Sequence, residues 1–214
     1  MDQTLADIPV KDHLRNDALQ RAIFEAVLAG LAALHEENLV HTDIKPENIL
    51  VSGLENLRPT AKIGDLGLTA TDGFNKYQVQ PFAMRAPEVW RGYGCSHRSD
   101  VWSLAAAVLA WARPGTLGVA ATSRMNETAA IAAKDLLEAK VPDRPDEQYI
   151  KVRSLDEELQ SVNISAETAN LLRCLLTTDP ENRPEAADAL ASPEFQALVL
   201  KATGHVRNSP RATT

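Results

Sequence analysis

The apolar positions of this chain change period along its length, and each change predicts an element. From Asn16-Asp17, a pair suited to capping, Leu19, Ile23, Ala26, Val27, Leu31 and Leu34 recur at the spacing of one helix face. They predict an amphipathic helix running to about Glu37. Ile49-Leu50-Val51 and Ala61-Lys62-Ile63 have the length and β-branched content of strands, with the turn signal Ser52-Gly53 after the first, and so predict a small hairpin. From Asp100 to Trp111 the chain is apolar on almost every side, which requires a helix buried all round, and Arg113-Pro114-Gly115 ends it. Ala129–Lys140, Ser165–Thr177 and Glu185–Ala191 read as further helices, with Pro-containing breaks at Pro142–Pro145 and Asp179–Pro184. A last helix starts near Pro193. The expected fold is mainly α, with residues 1–15 an irregular N-terminal segment, 16–203 the folded unit, and 204–214 a disordered polar tail.

Composition adds little about partners. The length suffices for one domain with a proper core, and 44% hydrophobic residues fit a globular protein. A formal net charge of −7 with no basic stripe argues against nucleic acid as a partner. The apolar run after Asp100 is shorter than the roughly 20 residues a membrane span needs, and Met1-Asp2-Gln3-Thr4 lacks the basic start and apolar run of a signal peptide. No membrane partner is expected. Cys95 and Cys174 are too few and too isolated for a disulfide framework or a zinc site, so a reducing cytoplasm or nucleus is the default compartment. His97 and His205 lie in polar stretches and read as surface residues.

Candidate chemistry is concentrated in His41-Thr42-Asp43-Ile44-Lys45-Pro46-Glu47-Asn48, followed at a distance by Asp65-Leu66-Gly67. Phosphoryl transfer asks a protein for positioning and charge neutralisation more than for covalent chemistry. Asp43 can accept or orient a hydroxyl proton. Lys45, two residues on in an extended loop, points the same way and can meet a phosphoryl group. Asn48 and Asp65 offer hard oxygens suited to magnesium. Read alone, Asp-x-Lys-Pro-x-Asn also fits a solvated turn, the weaker of the two readings, and His41, beside Leu39 and Val40, reads as structural.

In this order and spacing the motifs resemble those of the eukaryotic protein kinases, whose catalytic loop is followed by Asp-Phe-Gly and Ala-Pro-Glu. The matching residues are Asp43, Lys45 and Asn48, then Asp65-Leu66-Gly67, then Ala86-Pro87-Glu88. Ser99-Asp100-Val101-Trp102-Ser103-Leu104 looks like the family's central helix, and Asp179-Pro180-Glu181-Asn182-Arg183-Pro184 like its late Asp-Pro-x-x-Arg-Pro element. The resemblance implies ATP-dependent phosphorylation of Ser/Thr in a protein or peptide substrate, with ATP and Mg2+ as cofactors. It makes Asp43 the catalytic aspartate, Lys45 a catalytic and phosphate-binding residue, Asn48 and Asp65 the metal ligands, and Leu50 the residue beneath the adenine. Glu88 and Arg183 are expected to form a buried ion pair. Asp100 is expected to satisfy catalytic-loop backbone groups, or else Ser99 or Asp100 simply caps the helix.

The resemblance covers the large lobe, residues 16–203, and implies a protein-kinase-like large lobe with a short β-hairpin at the catalytic loop. The small lobe is expected to be absent, because residues 1–40 hold neither a Gly-rich loop nor a Val-Ala-x-Lys strand. Thr42 stands where the family usually has Arg, so no activating phosphorylation is expected at Thr69, Thr71 or Tyr77. The octapeptide itself is similar to that of SR-protein kinases and related fungal enzymes. Pro81 replaces a Thr usual in Ser/Thr kinases. Two functions remain open: a Ser/Thr kinase present as a truncated domain, or a noncatalytic binding or scaffold module. An uncovered apolar face around Leu50 and Leu66 predicts self-association or a partner there.

Overall fold

A computed structural model describes residues 2–10, 16–56, 59–75, 79–113 and 154–207, apart from the side chains of residue 56 and of 205–207. The first long helix, α1 (Asp17–Glu36), starts where its sequence says: Asn16 caps it, accepting the Leu19 N–H at 3.0 Å. Its apolar face is fully buried at Leu19, Ile23, Phe24, Val27, Leu28 and Leu31. Length and hydropathy alone would let α1 cross a membrane, yet this face forms the core of the fold. Gly30 sits where α1 meets a strand, and a Cβ there would come within 2.8 Å of Ile63 Cγ2.

The predicted hairpin is present as β3 (Ile49–Ser52) and β4 (Thr60–Ile63), antiparallel with Ile49 opposite Ile63 and Ser52 opposite Thr60. Ile49 and Val51 point into the core, while Leu50, on the alternate face, is half-buried. A third strand was not anticipated. β1 (Gln3–Thr4) pairs antiparallel with β3, placing Thr4 opposite Leu50, and a single 3-10 turn follows at Leu5–Asp7. Residues 2–10 of the N-terminal segment, expected to be irregular, are therefore packed into the fold. Leu5 and Ile8 are buried, and Trp111 Nε1 donates to the Ile8 carbonyl at 3.0 Å. A second small sheet pairs β2 (Leu39–Val40) with β5 (Ala70–Thr71).

After the short helix α2 (Pro87–Trp90) comes α3 (His97–Ala112), buried on all sides from Ser99 to Leu109. Its N-cap is Ser96, in a capping box with Ser99, which corrects the assignment of the cap to Ser99 or Asp100. That leaves the Asp100 carboxylate for another task. Beyond it, α4 (Leu155–Ser161), α5 (Ala166–Leu175), α6 (Ala186–Ala191) and α7 (Pro193–Arg207) close the core around α1 and α3. α7 runs past Gly204, where fraying was expected. The helix expected over Ala129–Lys140, the breaks Pro142–Pro145, Tyr77 and the tail from residue 208 lie outside the described residues. The described part is mainly helical with small antiparallel sheets.

Candidate active site

The octapeptide is an irregular loop held from below by one carboxylate. Asp100, fully buried, accepts the backbone N–H of His41 at 2.7 Å through Oδ2 and that of Thr42 at 3.1 Å through Oδ1, and His35 Nε2 lies 3.2 Å from Oδ2. The charge expected to satisfy loop amides does so. His41 is structural, as its apolar neighbours suggested. Its Nε2 lies 3.0 Å from the Gly64 carbonyl, while Nδ1 accepts the Asp43 N–H at 3.3 Å. His97, read as a surface residue, is half-buried at the start of α3 and stacks on His35 at 4.3 Å. Its backbone N–H bonds to Asp72 at 3.2 Å, and the stack on His35 sets its ring against α1.

The candidate side chains converge. Lys45 is extended (φ −157°, ψ 163°), so its side chain returns to the Asp43 side and Nζ donates to Asp43 Oδ2 at 2.7 Å. Asn48 Nδ2 donates to the same oxygen at 2.9 Å and to the Asp43 carbonyl at 2.8 Å. With its N–H groups committed to Asp43, Asn48 has its amide oxygen left for a cation. Asp43 and Asn48 are buried, whereas Lys45 is half-exposed. The hydrogen bond to Asp43 raises the Lys45 ammonium above its ordinary value, against the opposing cost of desolvation.

Asp65 approaches along the hairpin. The Gly64 N–H donates to the Asn48 carbonyl at 2.8 Å, extending the β3–β4 ladder by one step and bringing the next residue beside Asn48. Asp65 is exposed and in the left-handed region (φ 58°), and its Oδ1 accepts the Gly67 N–H at 3.2 Å. Leu50 is half-buried beside Gly64, whose added Cβ would meet Leu50 Cδ1 at 3.3 Å. The expectation that Leu50 faces solvent is thus corrected, because β1 and Gly64 flank it; Leu66, at 55% exposure, does face solvent. A cleft of about 400 Å³ opens beside the loop, lined by Ile8, Lys45, Glu47, Pro81, Met84 and Trp111.

The Ala86-Pro87-Glu88 element is anchored as expected. Arg183 grips Glu88 in a two-pronged pair, Nη1–Oε1 2.6 Å and Nη2–Oε2 3.1 Å, and both residues are buried. Its remaining donors meet the carbonyls of Thr177 and Arg98 at 2.8 and 2.9 Å. One organising residue gave no sequence signal: Gln80, buried and left-handed (φ 65°), whose side chain contacts Ser99 and Ala86. A lone Gln before Pro has no motif to announce it.

The sequence matches the profile of the protein kinase domain family over residues 1–195. The chain belongs to the protein kinase family. Curated relatives include Arabidopsis thaliana mitogen-activated protein kinase kinase 2, 31% identical over 92% of this chain and 52% of that protein. Another is the Rattus norvegicus serine/threonine-protein kinase ICK, 31% identical over 88% of this chain and 31% of that one. This kinase chain spans about half or less of the length of these relatives. Among solved structures, the yeast RNA Pol II CTD kinase CTDK-1 complex shares its fold, with a TM-score of 0.70 over 91% of this chain and 68% of that one at 22% identity.

Proposed function

We propose that the chain carries the phosphoryl-transfer half of a protein serine/threonine kinase, acting with ATP and Mg2+ on a protein or peptide hydroxyl. The observation that carries this reading is the convergence of Lys45 and Asn48 on one oxygen of Asp43. Asp43 Oδ1 keeps capacity for a substrate hydroxyl, whose proton it orients and accepts as the hydroxyl oxygen bonds to the γ-phosphorus and the bridging oxygen departs with ADP. Lys45, held charged by Asp43, is placed to neutralise the transferred group. The cleft beside Lys45 and Pro81 offers room for the peptide.

The donor set fits magnesium. No cluster of three His, Cys, Asp or Glu side chains that could form a metal cage occurs among the described residues. Mg2+ asks for less, commonly one or two protein oxygens with water and phosphate completing the shell. Asn48 Oδ1 and the Asp65 carboxylate would hold it, and when bound it supplies charge neutralisation of the phosphate oxygens. Leu50 would lie beneath the adenine. The His-Thr-Asp-Ile-Lys-Pro-Glu-Asn form favours a branch near the SR-protein kinases and Arg/Ser-rich substrates, a reading that rests on that octapeptide alone.

A second reading, a noncatalytic docking module, is favoured by the 55% and 57% exposure of Leu66 and Leu68 on the nucleotide side. Titration calorimetry with Mg-ATP separates the two. The kinase reading expects binding that Asp65→Ala abolishes; absence of binding to both the wild type and a version extended upstream would favour the module.

A further inference from the structure

The cleft of about 400 Å³ beside Lys45 is lined from four stretches of chain. Three of them bring apolar side chains: Ile8 and Val10 from the N-terminal segment, Ala83 and Met84 from the residues before α2, and Ala110 and Trp111 from the end of α3. The indole N–H of Trp111, the one polar group among these six side chains, already donates to the Ile8 carbonyl at 3.0 Å. The fourth stretch is the octapeptide loop, which brings Lys45 and Glu47.

Helix α3 frames this cleft on both sides. Trp111 ties down residue 8, and Ser103 Oγ, on the same helix, donates to the Met84 carbonyl at 2.8 Å. Ile8, Met84 and Trp111 are buried, and Val10, Ala83 and Ala110 are half-buried. The walls are therefore set in advance, which spares a ligand the cost of ordering them. Lys45 connects the cleft to the candidate chemistry: it lines the cleft while its Nζ bonds Asp43 Oδ2 at 2.7 Å. An extended peptide advances about 3.3 Å per residue, so with its hydroxyl at Asp43 it would reach the cleft about two or three residues away.

The lining decides which side chain fits. A guanidinium or ammonium placed between these walls would lose its water, and the only side-chain acceptor among the described lining residues is Glu47. Glu47 is exposed, and its charge already acts on the Lys45 ammonium, which is raised by Asp43 foremost and by Glu47 among the lesser causes. An exposed pair made with Glu47 is worth little. A Leu, Ile or Met side chain gives up no polar contact and buries apolar area on three sides. We propose that the cleft is a subsite for an apolar side chain of the substrate peptide near its Ser/Thr, with the wall at residues 6–10 as the specificity determinant. The proposal rests on the kinase reading and names the substrate class of that site. It runs against the Arg/Ser-rich peptides that the octapeptide alone favours.

The test uses fluorescein-labelled short peptides with one central Ser in a Gly/Ala background, identical except for Leu, Arg or Gly at each flanking position in turn. Binding to the full chain is read by fluorescence anisotropy, and phosphate transfer from Mg-ATP is followed in parallel. At one flanking position the Leu peptide should bind about tenfold more tightly than its Gly counterpart, with the Arg peptide no better than Gly. Val10→Glu, which sets a carboxylate in the wall away from Asp43, Lys45, Asn48 and Asp65, should erase the Leu preference and improve the Arg peptide. Ala6→Glu, at an exposed residue of the same wall, repeats the comparison if Val10→Glu does not fold. Arg peptides bound as well as Leu peptides by the wild type would overturn the proposal. So would equal binding, or none, of the Leu and Gly peptides, or a Leu preference unchanged in a folded wall variant. Leu-selective binding without any transfer by the wild type would instead sink the kinase reading and leave the apolar subsite in place.

Discussion

Asp43 shows how single atoms divide the work of this site. Its Oδ2 carries both Lys45 and Asn48, at 2.7 and 2.9 Å, which fixes the carboxylate; on the proposed reading the other oxygen meets the substrate hydroxyl. Lys45→Ala should lower kcat by about a hundredfold, the size typical of removing a group aimed at developing charge, with the fold intact by circular dichroism. Lys45 remains charged through neutral pH. Its raised value means that its contribution to stability is present below the ordinary lysine pKa and is lost only as pH rises above that range. Cys95 titrates in the same direction for another reason: burial pushes its thiol up to about 11, from 9.0 in an open chain. Between those values the unfolded chain releases a proton that the folded chain keeps, so stability should fall as pH rises from 9 towards 11. Cys95→Ser should flatten that loss in urea titrations across pH, and a slope identical to wild type would contradict this. At the residue scale the sequence was readable where chemistry has a motif. Asp43, Lys45, Asn48 and Asp65 stood out by type and spacing, whereas Gln80 acts through backbone geometry that no residue type announces.

Elements were legible in proportion to their length. α1, with its Asn16 cap, and the β3–β4 hairpin follow directly from period and turn residues. α4 was missed although Ser154 and Glu157 form a capping box, with the Glu157 N–H bonded to Ser154 Oγ at 3.2 Å. β1, β2 and β5 are two-residue strands, too short to show any alternation, and their pairing comes from tertiary placement. For β1 that placement is set by Leu5 and Ile8, which the core buries. Elements are joined across the molecule by the Glu88–Arg183 pair, whose geometry was foreseeable only from resemblance. Arg183→Met should destabilise by about 3–5 kcal/mol, because the buried Glu88 charge is left without its partner. Chemical denaturation measures this. The double variant Glu88→Gln/Arg183→Met should recover part of the loss, and equal loss in both variants would contradict a charge-pair origin.

At the scale of the whole molecule, a buried core built on α1 and α3 carries the His41–Asn48 loop on one surface, and beside it Leu66 and Leu68 stand exposed. Apolar side chains so placed favour burial against another surface. Light scattering should show association that grows with concentration and that Leu66→Glu with Leu68→Glu suppresses; a monodisperse wild type at high concentration would contradict it. The octapeptide's meaning as chemistry is the larger claim, and it depends on Asp43 acting on a hydroxyl. The most direct measurement is transfer of labelled γ-phosphate from Mg-ATP to Ser/Thr peptides by the wild type and by Asp43→Asn. The account predicts transfer by the wild type and a loss of at least about a hundredfold in a folded Asp43→Asn. Equal transfer by both, or none by the wild type, would contradict it.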